Sequence, residues 1–176
     1  MQYGPWLSQP REIGIFTRPR VLIREITAKL PHCIHGIFVK GAFLNNKSVL
    51  NVLHDADDAE HLKCFVGIVN STPFSAFYKA RAVKGARTVF PKLVINNLRE
   101  LPYPKAIDGK ESKALAALVD HMLALEMERQ SNRDEHQREV LKRLINDVDK
   151  KIDSLCCQLF HVDQTELMSV EQLAQR

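Results

Sequence analysis

From Leu141 to Leu159 the apolar residues Leu141, Ile145, Val148, Ile152, Leu155 and Leu159 alternate steps of four and three. Such spacing keeps one apolar seam on one side of a long helix, and a seam of that length has to be buried against another helix. The partner stripe lies upstream: Leu115, Leu118, Met122 and Leu125 recur at helical spacing from Glu111 onward, with polar residues on most other faces. Between the two helices "RQSNRDEHQ" breaks the pattern, with Asn132 as the expected N-cap and Glu135 reaching back to complete a capping box. A short connection between facing stripes predicts an antiparallel pair. Asp163 and Glu166 read as one more capping box, opening a last short helix.

The first hundred residues have a different texture. In "IGIFTRPRVLIREI" two β-rich runs flank Thr17–Pro19, which predicts strand, turn, strand, with Arg20 and Arg24 on one face of the second strand. More extended chain follows in "HCIHGIFVKGAFLNNKSVLNVL", where Gly41 and the Asn45, Asn46 pair mark turns. A helix is expected through "DDAEHLKCFVGIVN", capped by Asp57 or Asp58, with Leu62, Phe65, Val66 and Val69 facing the core. Another is expected from Thr72 as N-cap and Pro73 at the first helical position, with Phe74, Phe77 and Tyr78 as core residues. Val89 to Ile95 reads as a strand or sheet edge, and Asn96 as the cap of a helical turn holding Leu98 and Leu101. Pro102 and Pro104 forbid its continuation and impose a stiff extended exit. The fold class is therefore α/β in the α+β sense: a small mixed sheet with packed helices, followed by a long antiparallel helical pair. Residues 1–105 form one part and 106–176 a helical arm.

Charge divides at the same place. Residues 1–105 carry fifteen Lys and Arg against seven Asp and Glu, a net of +8, whereas 106–176 carry ten against fourteen, a net of −4. A basic part joined to an acidic arm implies a polyanion partner for the first part alone. The stretch "KARAVKGARTVFPK" concentrates Lys79, Arg81, Lys84, Arg87 and Lys92 with no acid among them. Contacts of that kind neutralise DNA phosphates and release condensed counterions. Arg18, Arg20 and Lys40 extend the candidate set. The turn residues Asn45, Asn46 and Lys47 are candidates for base edges, since Asn pairs bidentately with adenine and Arg or Lys with guanine.

Several functions are excluded or disfavoured. Cys33, Cys64, Cys156 and Cys157 lack disulfide-framework or zinc-knuckle spacing and read as buried thiols in a reducing cytosol. His32, Cys33 and His35 are adjacent, but in a strand His32 faces away from the other two, so a plain strand histidine is expected and no metal site. No run approaches the ~18 apolar residues of a membrane span, and "MQYGPWLSQ" lacks a basic leader. No Gly-rich nucleotide loop is present, nor an Asn-Pro-Pro-Tyr or Asp-Pro-Pro-Tyr segment. Asp108, Glu111 and Lys113 only superficially resemble a nuclease trio, because their spacing is tight and acids favour a helix start. No catalytic residue is assigned.

Taken in order, "LKCFVGIVNSTPFSAFY", "FPKL", "LRELPYP" and "DKKIDSLCCQLF" resemble the TaqI-like C-terminal specificity domain of restriction and modification enzymes. Ile68, Asn70 and Ser71 match its helix end, Phe74, Phe77 and Tyr78 its aromatics, and Phe90, Pro91 and Lys92 its Phe-Pro-Lys segment; Pro19, Arg20 and Arg24 of "PRVLIRE" fit as well. A Tyr-Gly pair is common in the family where this chain has Phe160 and His161. The resemblance implies a target recognition domain (1–105) that reads double-stranded DNA, and a helical spacer and docking arm (106–176) like those of type I specificity subunits. It implies further an N-terminal methyltransferase or nuclease domain, in cis or in trans, as in a type II (IIG) enzyme acting on adenine. S-adenosylmethionine and magnesium would belong to those missing catalytic domains, and this fragment would hold no cofactor. A cytoplasmic location in a bacterium or archaeon is implied, with no membrane partner. The competing expectation is a protein-interaction module that docks a partner on its heptad helices without reading DNA.

Overall fold

A computed structural model describes residues 4, 10–82, 92, 93, 95–104, 107 and 109–163. Three strands form its sheet: β1 (Arg20–Arg24), β2 (Gly36–Val39) and β3 (Val49–Leu53), in the order β2-β1-β3. Both outer strands run antiparallel to β1, with Leu22 opposite Ile37 on one side and Asn51 on the other. The pairing is thus antiparallel throughout, where a mixed sheet was expected. Because β2 and β3 point the same way, the chain between them has to travel the length of the sheet.

That crossover lies on the face opposite the first helix. Helix α1 (Ala59–Asn70) covers the Val21 and Ile23 side, where a Cβ on Gly36 would meet Val66 at 3.1 Å and Val21 at 3.4 Å. On the other face Arg20 sends Nη1 to the carbonyls of Arg18 (2.9 Å) and Gly41 (3.2 Å), and Nη2 to the carbonyl of Phe43. Gly41 turns with φ +98, a conformation that disfavours side chains bearing a Cβ. Central and covered on both faces, β1 buries Arg20, Val21, Leu22 and Ile23 together.

With both edges of β1 occupied, the upstream run cannot pair with it. Ile13–Phe16 is accordingly a 3-10 helix and not the expected strand, closed by the Thr17 and Arg18 N–H groups on the Gly14 carbonyl. Its only buried residue is Phe16.

Helix starts follow the expected punctuation with small shifts. Asp58 caps α1, accepting from the N–H groups of Glu60 (2.8 Å) and His61 (3.1 Å). Helix α2 (Thr72–Ala82) is capped one residue earlier than expected: Ser71 Oγ accepts from the Phe74 N–H at 3.4 Å, while the Thr72 N–H reaches Asp153 across the fold at 2.8 Å. Phe74 and Tyr78 are buried, but Phe77 stands 41% exposed and leaves the expected core. Asn96 sits inside α3 (Ile95–Arg99) and does not cap it. Apart from Lys92, Leu93 and Ile95, the expected Val89–Ile95 edge lies outside the described residues; Lys92 forms an isolated bridge with Ile26.

Helix α4 (Lys110–Ser131) packs along α1, and α5 (Glu135–Phe160) folds back along α4 as the paired stripes require. Asp134, not Asn132, caps α5 by accepting from the His136 N–H at 2.9 Å; Asn132 instead accepts from the Asp134 N–H at 3.0 Å and tightens the turn. The expected helix at Asp163–Glu166 lies outside the described residues beyond Asp163. One apolar interior runs from Val21 and Ile23 through Leu62 and Val69 to Leu115, Val148 and Ile152, crossing the expected boundary at Lys105 without a gap.

Two backbone positions give tests. A Cβ on Gly67 would lie 3.0 Å from Leu115 Cδ1 and Val119 Cγ2, so α4 can approach α1 only because Gly67 has none. Gly67→Ala is expected to lower stability by about 1–3 kcal/mol in urea unfolding, and an unchanged midpoint would contradict that close approach. His161 ends α5 at φ 52, donating to the Cys157 and Gln158 carbonyls. His161→Gly removes the left-handed strain and should raise stability by about 0.5–1 kcal/mol.

Candidate nucleic-acid interface

The candidate cations separate according to where the sheet puts them. Arg18 lies at the end of the sheet where β3 finishes, with Nε on Asp57 at 2.7 Å and Nη2 on the carbonyls of His54 (2.9 Å) and Asp55 (3.2 Å). Asp55, Asp57 and Asp58 make this the acidic end. Arg20 has no exposed surface. Its guanidinium holds the crossover, so the expected DNA contact is corrected to a structural one.

The opposite end of the sheet collects positive charge. The Arg24 end of β1 meets the start of β3, where the Glu25 N–H donates to the Ser48 carbonyl at 3.0 Å, placing Lys47 beside it. The Leu93 N–H donates to the Glu25 carbonyl at 2.6 Å, which brings in Lys92. Helix α2 docks on the loop after β1 through Ser75 Oγ, which accepts from the Cys33 N–H at 2.9 Å, and through Tyr78, whose hydroxyl meets Thr27. Lys79 follows Tyr78 on this docked helix, and its charge offsets part of the upward push that burial gives the Cys33 thiol. Arg24 and Lys29 are exposed at this end and belong with the set, although neither was among the sequence candidates. Arg24 was legible, since alternation put it on the face of Arg20; the crossover covers one arginine and leaves the other in water. The acids at this end include Glu25, 3.3 Å from Lys92, and Asp149 of α5, 3.0 Å from His32 in the loop before β2.

Lys40 and Lys47 stand exposed at the two ends of the crossover. Between them Asn45 and Asn46 are engaged in the turn. Asn45 Nδ2 donates to the carbonyls of Asn46 (3.2 Å) and Val49 (3.0 Å), and Asn46 Oδ1 accepts from the Ser48 N–H at 3.0 Å. Their expected role at base edges would fall on what remains, the exposed Nδ2 of Asn46. Arg81 is exposed in the last turn of α2; Lys84 and Arg87 lie outside the described residues.

The segment "VNSTPF", which carries much of the family resemblance, is a joint. Asn70 Oδ1 accepts from the Gly36 N–H at 2.7 Å and its Nδ2 donates to the Gly36 carbonyl at 2.8 Å, as a neighbouring strand would. This clamp blunts the outer edge of β2. His32 lies in the loop before β2, not in a strand. Its Nδ1 donates to the Asn70 carbonyl at 2.8 Å and its Nε2 faces Asp149 of α5 at 3.0 Å. Two acceptors favour the doubly protonated ring, and the hydrogen bond to Asp149 leads in raising its pKa to about 9, against the opposing effect of burial.

Among the described residues no group of three or more His, Cys, Asp or Glu side chains is placed to hold a metal ion, and all four cysteines are buried and free. No helix among them is long and apolar enough to cross a membrane. No family model matches the chain and no curated protein matches it.

The His32 joint implies a pH dependence. Its folded pKa lies above the ordinary value of 6.5, so its contribution to stability is complete below that value and disappears as pH rises through about 9. Urea midpoints measured across this range should fall for the wild type, and His32→Gln should remove that part of the slope. Parallel curves for the two proteins would show that the ion pair contributes nothing.

Proposed function

We propose that this chain is the DNA-recognition part of a restriction-modification enzyme that acts on adenine, with the chemistry carried by a methyltransferase or nuclease domain in cis or in trans. The observation that carries this reading is the segregation of charge along the sheet. Arg24, Lys29, Lys47, Lys79 and Lys92 gather at one end, whereas at the other Asp55, Asp57 and Asp58 stand with Arg18 and Lys40, Asp57 being paired to Arg18 at 2.7 Å. The excess of cations at the first end favours a phosphate backbone there, which biases orientation before any base is read. S-adenosylmethionine and magnesium fall to the partner domain in this reading. Lys40 and the crossover supply the surface nearest the bases.

A second feature fits the expected docking arm. At the connected end of the α4–α5 pair, Met127 is 72% exposed, Leu144 44% and Val140 38%. Exposed apolar side chains along a helical pair suit a protein partner, which in this reading is the catalytic domain.

Salt dependence of duplex binding, followed by fluorescence anisotropy, tests the reading. Replacing Lys47, Lys79 and Lys92 together by alanine should weaken binding to all sequences alike and flatten the slope of log affinity against log salt by about one for each lysine that holds a phosphate. Arg18→Ala, at the acidic end, should leave the slope unchanged. Equal slopes for the triple variant and the wild type would contradict the assignment.

A further inference from the structure

We propose, resting on the DNA-recognition reading above, that Phe43 and Leu44 form an apolar wedge that enters a base step of the bound duplex. Both belong to the crossover "KGAFLNNK", Lys40 to Lys47, which carries no acid. Phe43 is 57% exposed and Leu44 37%, yet the backbone beneath them is tied at several points. The Phe43 N–H donates to the Phe16 carbonyl at 3.0 Å, and the Phe43 carbonyl accepts from Arg20. Asn45 Nδ2 fastens the far side to the Val49 carbonyl at 3.0 Å. Two large apolar side chains are thereby held out in water by a fixed frame, which removes the ordering cost of presenting them to a partner.

The flanking charges select the partner. Lys40 and Lys47 bracket the apolar pair, and Arg24 stands on the same face of the sheet. A cationic bracket suits a polyanion whose interior is apolar, and a stacked base step between two phosphate strands has that chemistry. Side chains of this kind partly unstack the step they enter and bend the duplex, widening the protein surface it touches.

The test uses the whole chain and the duplex it enriches from a randomised pool, with 2-aminopurine substituted in turn for each adenine of the enriched site. Wild-type chain should raise the fluorescence severalfold at one position. Phe43→Ala should abolish that rise and weaken binding about tenfold, as expected for loss of one base-stacking aromatic, while Phe43→Trp should keep both. Phe43 is exposed, so an unchanged circular dichroism melt is expected for either variant. Equal binding by Phe43→Ala, with no fluorescence rise at any position for either protein, would overturn the wedge and leave DNA recognition standing. Failure of the pool to enrich would overturn both. Phe43-dependent binding to phosphatidylserine vesicles, without duplex binding, would also overturn the wedge and assign these residues to a membrane surface.

Discussion

The guanidinium of Arg20 organises the N-terminal part of the molecule. Two strands that flank β1 in the same direction require a crossover, and a crossover leaves backbone carbonyls facing the sheet with no ladder to satisfy them. Arg20, at the start of the central strand, supplies donors to the crossover carbonyls of Gly41 and Phe43 and to that of Arg18. Charged hydrogen bonds to backbone are among the stronger ones available, and an arginine removed from water needs such acceptors around it. The stretch from Gly41 to Phe43 takes its position from this contact, and Asn45 on the Val49 carbonyl fastens the part that carries Lys47. Burial of β1 on both faces follows from the same arrangement.

A second joint fixes the helices to the sheet. Asn70 takes the place of a strand against Gly36, Ser71 caps α2, and Asp153 of α5 accepts from the Thr72 N–H. His32 adds an ion pair to Asp149 of the same helix. Asn70, Ser71 and Phe74, in the stretch from which the resemblance to specificity domains was expected, thus hold the scaffold. Close packing of α4 against α1 at Gly67 joins the helical pair to the helix that covers the sheet.

The long helices were legible because their signal is local: a seam of Leu141, Val148 and Ile152 announces both a helix and its buried face, and all three are buried. Caps were legible to within two residues. Where Ser71 and Thr72, or Asn132 and Asp134, compete for one role, the winner depends on a distant group; Asp153 claims the Thr72 N–H and leaves Ser71 as the cap. Alternation in β1 was read correctly, but the fates of Arg20 and Arg24 depended on the path of a connection some twenty residues later. The Ile13–Phe16 run shows the same limit, since β-rich composition cannot form a strand when the neighbouring strand has no free edge. The basic end of the sheet was half visible. Lys47, Lys79 and Lys92 could be named from charge, whereas their convergence with Lys29 needed the register of β3 and the docking of α2.

Hydrogen–deuterium exchange of the chain with and without its enriched duplex tests the central claim most directly, because it reads which backbone the nucleic acid covers. Protection confined to 24–29, 40–48 and 79–82, with the acidic turn at 54–58 unchanged, is the predicted pattern. Protection centred on the exposed faces of α4 and α5, or no difference at any peptide, would contradict the account.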